Sequence, residues 1–189
     1  MRLLFIFIFT LVSYAQAQDS TRQNAVIEVK PAVGATGTPM KPILSVAIFY
    51  PLNQGFLIVS HSMISFLLTG NSPEFIKINY NYTFSHKLGI GYSLYGKKEK
   101  SRHSLFALGG IKHIAFKETM ENPDLDKITV RTQSTLADYG LMYEFSLGKK
   151  RYTFDTRLYF PLSPIRYYPQ GTLSNLVYVE MGIGIKLYR

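Results

Sequence analysis

The side chains with the most reactive chemistry in this sequence are four histidines and a scatter of serines. A hydrolytic pair needs a hydroxyl within hydrogen-bond reach of a base. His61 is followed by Ser62, and His103 by Ser104. On a strand, neighbours point to opposite faces, so neither sequential pair makes a dyad. His61 and Ser65 share a face but stand ~13 Å apart at the strand rise. Metal chemistry has little support. His103 and His113 share a nominal face at too great a separation. Glu118, Glu121, Asp124 and Asp126 form a loose acidic cluster without the spacing or glycine of a calcium loop. Cysteine is absent, which excludes disulfides, thiol catalysis and cysteine-based metal sites. There is no phosphate-binding glycine motif and no nucleophile elbow. No catalytic residue, metal ligand or cofactor is assigned, and no enzyme activity is expected.

A different set of charged residues is placed by strand pairing. Asp138, Glu144, Arg151, Asp155, Arg157, Glu180 and Lys186 all fall on the polar faces of three alternating segments. A four-residue turn at Ser146–Lys149 puts Glu144 opposite Arg151 and Asp138 opposite Arg157. If Phe160 faces Val177, Arg157 also faces Glu180. An enclosed guanidinium needs such carboxylates, because an unpaired buried charge is costly. The cluster reads first as structural filling of a narrow interior, and second as a gate across it.

The elements that must position this cluster are strands. From Ile43 the sequence shows eight strand-like runs: 43–50, 55–66, 74–84, 88–95, 103–116, 129–145, 151–160 and 176–188. In the last, Val177, Val179, Met181, Ile183, Ile185 and Leu187 fall on one face, and Tyr178, Glu180, Gly182, Gly184, Lys186 and Tyr188 on the other. A period of 2 separates these sets and a period of 3.6 mixes them. The runs at 74–84, 88–95 and 151–160 repeat the pattern. Those at 55–66 and 103–116 are blurred, and Gly109-Gly110 is read as a bulge that flips the face of the latter. The abundance of Tyr (14) and Phe (13) suits pleated surfaces. Most runs reach the 9–11 residues or so that a tilted strand needs to cross a bilayer.

Residues 1–17 have the order of a secretory signal peptide: Arg2, an apolar stretch from Leu3 to Val12, then Ala15-Gln16-Ala17. Residues 18–42 carry Pro31, Pro39 and Pro42 and read as a linker, an extra strand or a lumen plug. The barrel is assigned to 43–189. The formal net charge of +9 invites a nucleic-acid reading, which export argues against. Lys97-Lys98 with Lys100 and Arg102, and Lys149-Lys150-Arg151, are read as turn or rim residues near anionic headgroups. Long links at Lys117–Ile128 and Pro161–Asn175 alternate with shorter ones at Gly96–Arg102 and Ser146–Lys150. That fits short periplasmic turns and longer extracellular loops. Only the link Ser85-His86-Lys87 is short where an outer loop is expected.

Alternation alone fits a membrane barrel with its apolar face outward and a soluble lipocalin-like carrier with that face inward. Aromatics near strand ends (Tyr143, Phe145, Tyr152, Phe160) and glycines on the polar faces (Gly89, Gly91, Gly182, Gly184) favour the membrane. The expected fold is all-β: a transmembrane antiparallel up-and-down barrel of about eight strands. With the closing Gly182-Ile183-Gly184-Ile185-Lys186-Leu187-Tyr188, the chain resembles the small outer-membrane β-barrels of Gram-negative bacteria, the OmpA- and OmpX-type, porin-like group, in the Lys-, Ile- and Tyr-rich style of the Bacteroidetes. The resemblance implies a place in the outer membrane, contact with its lipid and lipopolysaccharide, and handling by the outer-membrane assembly machinery. That machinery reads a terminal aromatic; here Tyr188 is followed by Arg189. It also implies a scaffold whose outer loops bind an extracellular ligand, with Arg166, Tyr167 and Tyr168 as binding candidates. The rival that the same group suggests is a lipid A-modifying enzyme with a lipid-facing Ser and His. The deacylase pattern His-x-Ser followed by Asn is absent.

Overall fold

The computed structural model describes residues 27–36, 41–52, 55–67, 70–72, 76–96, 100–120, 128–148, 151–164 and 176–187. The expected signal peptide, Tyr188 and Arg189 lie outside them. The strands are β1 (Ile27–Thr36), β2 (Lys41–Pro51), β3 (Phe56–Leu67), β4 (Gly70–Ser72), β5 (Ile76–Tyr95), β6 (Ser101–Met120), β7 (Ile128–Leu147), β8 (Tyr152–Pro161) and β9 (Tyr178–Leu187). All pair antiparallel with their neighbours. The order is β3-β2-β1-β9-β8-β7-β6-β5-β4, and pairing of β3 with β5 closes the ring. Eight long strands therefore form an up-and-down barrel, with β4 a short appendage on β5.

The eight are not the eight runs read from the sequence. Runs 74–84 and 88–95 are one strand, β5, of 20 residues. Its outward parity is unchanged through Tyr82, Phe84, His86, Leu88, Ile90, Tyr92 and Leu94. The awkward link Ser85-His86-Lys87 is its middle. The missing strand is β1, built from the segment whose prolines count against a strand. Pro31 has no N–H to give, and the β1–β9 ladder steps over Lys30 and Pro31 while keeping register on either side. Gly109-Gly110 makes no bulge: β6 stays in register with both neighbours there. The irregularity falls between Ile78 and Tyr80 on β5.

The blurred runs have a physical cause. β3 and β6 send apolar side chains inward as well as outward. Leu57, Val59, Met63, Phe106 and Leu108 join Ile43, Ala47, Phe49 and Met142 in a cluster inside the barrel. Phe49 and Phe106 meet there at 5.3 Å between ring centroids. On the charged side, Gly184 leaves room that a Cβ would fill, running into Thr153 and Asp155.

The connections 52–55, 96–100 and 148–151 lie at the end shared by the start of β1 and the finish of β9. Gly55 (φ 92°) and Gly148 (φ 133°) take the left-handed backbone these tight turns require. The connections 37–40, 68–75, 121–127 and 162–177 lie at the other end. There β5, β6 and β7, 20 residues each, outrun their neighbours. Pairing of β8 with β7 stops at Gly140↔Pro161, while β6–β7 pairing continues to Met120↔Ile128. A three-stranded sheet thus projects beyond the barrel at the long-loop end.

Candidate functional site

Polarity runs inside out. Lys30, Lys41, Lys87, Arg102, Lys112 and Arg157 are buried, and so are Glu28, Glu118, Asp138, Glu144, Asp155 and Glu180. The exposed large side chains are chiefly Leu, Ile, Val, Phe and Tyr. A water-soluble barrel places these sets the other way round. The apolar exterior is the surface a bilayer requires, and a lumen this narrow is filled by its own side chains.

The lumen charges form three layers. Nearest the short turns, Lys30 Nζ sits among Asp155 Oδ1 (2.7 Å), Glu144 Oε1 (2.9 Å) and Glu28 Oε2 (3.2 Å). Arg102 grips Glu28 with both terminal nitrogens (2.9 and 2.7 Å) and donates to Glu144 Oε1 at 3.0 Å. Ser146 and Thr153 donate to Asp155. In the middle layer Arg157 Nε lies 3.1 Å from Glu180 Oε2, and His61 Nε2 lies 3.2 Å from both oxygens of Glu180. Above them, Asp138 holds Lys87 at 2.9 Å and Lys112 at 3.4 Å. It accepts bonds from Tyr159 Oη (2.8 Å) and Ser85 Oγ (3.0 Å). Lys87 Nζ also stands over the Tyr159 ring at 4.5 Å, and Tyr159 stacks on Tyr178 at 4.8 Å. With Lys41 and Glu118, which lie outside these three layers, six cations and six carboxylates are buried among the described residues, so their formal charges balance.

Asp138, Glu144, Asp155, Arg157 and Glu180 do point into the lumen. Lys186 is half-buried at the short-turn end of β9. Arg151 is the exception. It is exposed in the turn before β8, its guanidinium 5.9 Å from the Tyr152 ring centroid. The pairing of Arg157 with Glu180 holds, but Glu144 is opposite Arg157 rather than Arg151, and Asp138 is opposite Gly110 on β6. The β7–β8 register is shifted by six residues because β7 runs on to Leu147, whose partner is Phe154, so that 148–153 lie between the paired ends. An even shift keeps every side chain on its face and changes only its partner. Glu118 is not in a loop; it is a buried residue of β6. Glu121, Asp124, Asp126, Arg166, Tyr167 and Tyr168 lie outside the described residues. Sequence reasoning misses Glu28, Lys30, His61, Lys87, Arg102 and Lys112. Their inward parity is readable, but their partners come from strands far apart in sequence.

A second site lies outside the lumen. The outward face of the projecting sheet carries Lys77, Lys117 and Arg131, all exposed. Lys117 is directly opposite Arg131, and Lys77 is opposite Thr119 one pair away. Every carboxylate among the described residues faces inward, so none faces these cations.

This fold is that of the small eight-stranded outer-membrane β-barrels. Ail, the attachment invasion locus protein of Yersinia pestis, solved in complex with the heparin analogue sucrose octasulfate, has a TM-score of 0.54 and 12% identity over 87% of this chain and 98% of its own. Neisserial surface protein A gives 0.53 and 10% over 87% and 96%. A major outer membrane protein from Thermus thermophilus gives 0.52 and 11% over 85% and 99%. No protein-family model and no curated protein matches the sequence.

Proposed function

We propose that this protein is an outer-membrane scaffold with a side-chain-filled lumen, whose external sheet and loops bind an anionic polymer outside the cell. The observation that carries this reading is Lys117 opposite Arg131. Like charges directly opposite on a sheet destabilise it, so holding Lys117, Arg131 and Lys77 on one exposed face has a cost that an anionic ligand would offset. Sulfated or phosphorylated polysaccharide has the repeating charge such a face would recognise. The heparin analogue bound by Ail makes heparin a reasonable probe. The connections that follow β6 and β8 at that end, 121–127 and 162–177, would extend the surface.

The test is binding of immobilised heparin by the full-length protein in lipid nanodiscs. Wild type is expected to bind with a steep loss as salt rises, because exposed ion contacts are screened. The triple substitution Lys77→Glu, Lys117→Glu, Arg131→Glu is expected to abolish binding while the barrel stays folded. Equal binding by wild type and triple variant would contradict the proposal.

A further inference from the structure

The apolar outer face is interrupted by Ser62 and His86. The β3–β5 register sets them directly opposite each other, with Ser62 Oγ 2.7 Å from His86 Nδ1. The sequential neighbours His61 and Ser62 make no pair, since His61 points into the lumen. The contact that forms is across strands, between residues 24 apart. Its surroundings are hydrocarbon-like: exposed Ile64, Phe84 and Leu88 flank it, and exposed Ile111 is opposite His86 on β6. Two other outward histidines also meet hydroxyls, His103 with Tyr143 (2.7 Å) and His113 with Thr135 (3.0 Å). Tyr143 is a phenol and Thr135 a secondary alcohol; Ser62 is the primary alcohol of the three.

Polar side chains facing hydrocarbon are costly. A mutual hydrogen bond lowers the cost of the pair without accounting for its presence. We propose that Ser62 and His86 are a nucleophile and its general base, acting on acyl esters of bilayer lipids. Location selects the substrate class, because a side chain facing out of the apolar band meets lipid. Gly109, diagonal to His86 on the same face, has nothing within 4 Å of where a Cβ would stand. It opens a dip where an ester carbonyl can approach. Ser60 presents the next hydroxyl along that face of β3.

In the first step the Ser62 hydroxyl proton passes to His86 Nδ1 as Oγ bonds to the carbonyl carbon. Collapse breaks the ester C–O bond, and the leaving alcohol takes the proton back from the imidazolium. Water then attacks the acyl-serine, with His86 again accepting its proton and returning it to Oγ. Ester and water become fatty acid and alcohol. Among the described residues no carboxylate faces His86, so the pair lacks the third group that orients a triad, and slow turnover is expected.

The full-length protein in nanodiscs, verified by heat-modifiable migration, is treated with a fluorophosphonate probe and the labelled peptide identified. Ser62 is expected to be labelled in wild type and in Ser60→Ala. In His86→Asn the labelling rate should fall at least about 100-fold, the usual scale of general-base assistance. Vesicles of phosphatidylethanolamine with phosphatidylglycerol, and vesicles containing lipopolysaccharide, then separate the two lipid sources by which one releases fatty acid. No label on Ser62, an unchanged rate in His86→Asn, or no fatty acid from either lipid overturns the proposal.

Discussion

Lys30 and Arg157 hold the lumen together by different means, and their substitutions separate the two. Arg157 has one carboxylate in contact, Glu180, with Lys30 O and Ser45 Oγ as further acceptors. Arg157→Ala leaves the buried Glu180 with His61 as its remaining charged partner and is expected to cost about 3 kcal/mol, the lower end of the range for breaking a buried pair. Pairing Arg157→Met with Glu180→Met removes both charges and should recover most of that loss. Lys30 contacts Glu28, Glu144 and Asp155, so Lys30→Met is expected to be the more destabilising single change. Reversible urea unfolding in lipid vesicles measures all three, and an Arg157→Ala variant as stable as wild type would show that His61 alone suffices for Glu180. At this scale the sequence shows the faces but not the partners. The alternation places Asp138, Glu144, Asp155, Arg157 and Glu180 inside. It does not show that Lys87 and Lys112 hold Asp138, since that depends on three strands whose mutual register no local pattern contains. The Ser62–His86 contact is hidden for the same reason.

Strand by strand, the bilayer is expected to treat the two ends of the barrel differently. Met181 is 54% exposed on the outward face of β9. Met181→Arg should destabilise folding into vesicles by about 2–4 kcal/mol if it meets the hydrocarbon. Gln133 is also outward, but on the part of β7 beyond the end of β8. Gln133→Arg should stay within about 0.5 kcal/mol of wild type, as exposed surface changes do. Equal costs at the two positions would mean that the projecting sheet is not in water. Element length is the least legible quantity. Expecting strands just long enough to span a bilayer cuts β5 in two at Ser85-His86-Lys87, although its outward parity never changes. Expecting prolines to end strands hides β1, although Pro31 falls where the ladder to β9 can spare an N–H. Two errors of one strand each cancel, and the count of eight stands for partly wrong reasons.

At the scale of the whole molecule, inside-out polarity and closed strand order define a barrel that sits in a membrane and fills its own lumen. Neutral pairing of the buried charges leaves no fixed field to draw ions through, and Phe49, Phe106, Tyr159 and Tyr178 belong to one buried cluster inside the barrel. Wild type in planar bilayers is therefore expected to show no stepwise conductance. Regular, ion-selective steps would show that the lumen opens. The absence of cysteine makes topology directly measurable, since any introduced thiol is the sole one. The decisive measurement uses a membrane-impermeant maleimide on intact cells carrying one cysteine each at Gln133, Met181 or Lys100. Gln133→Cys should react from outside, Lys100→Cys only after the outer membrane is opened, and Met181→Cys not at all while the protein remains in lipid. Reaction of all three in a soluble periplasmic fraction, or of Lys100→Cys on intact cells, would contradict a membrane barrel with its projecting sheet outward.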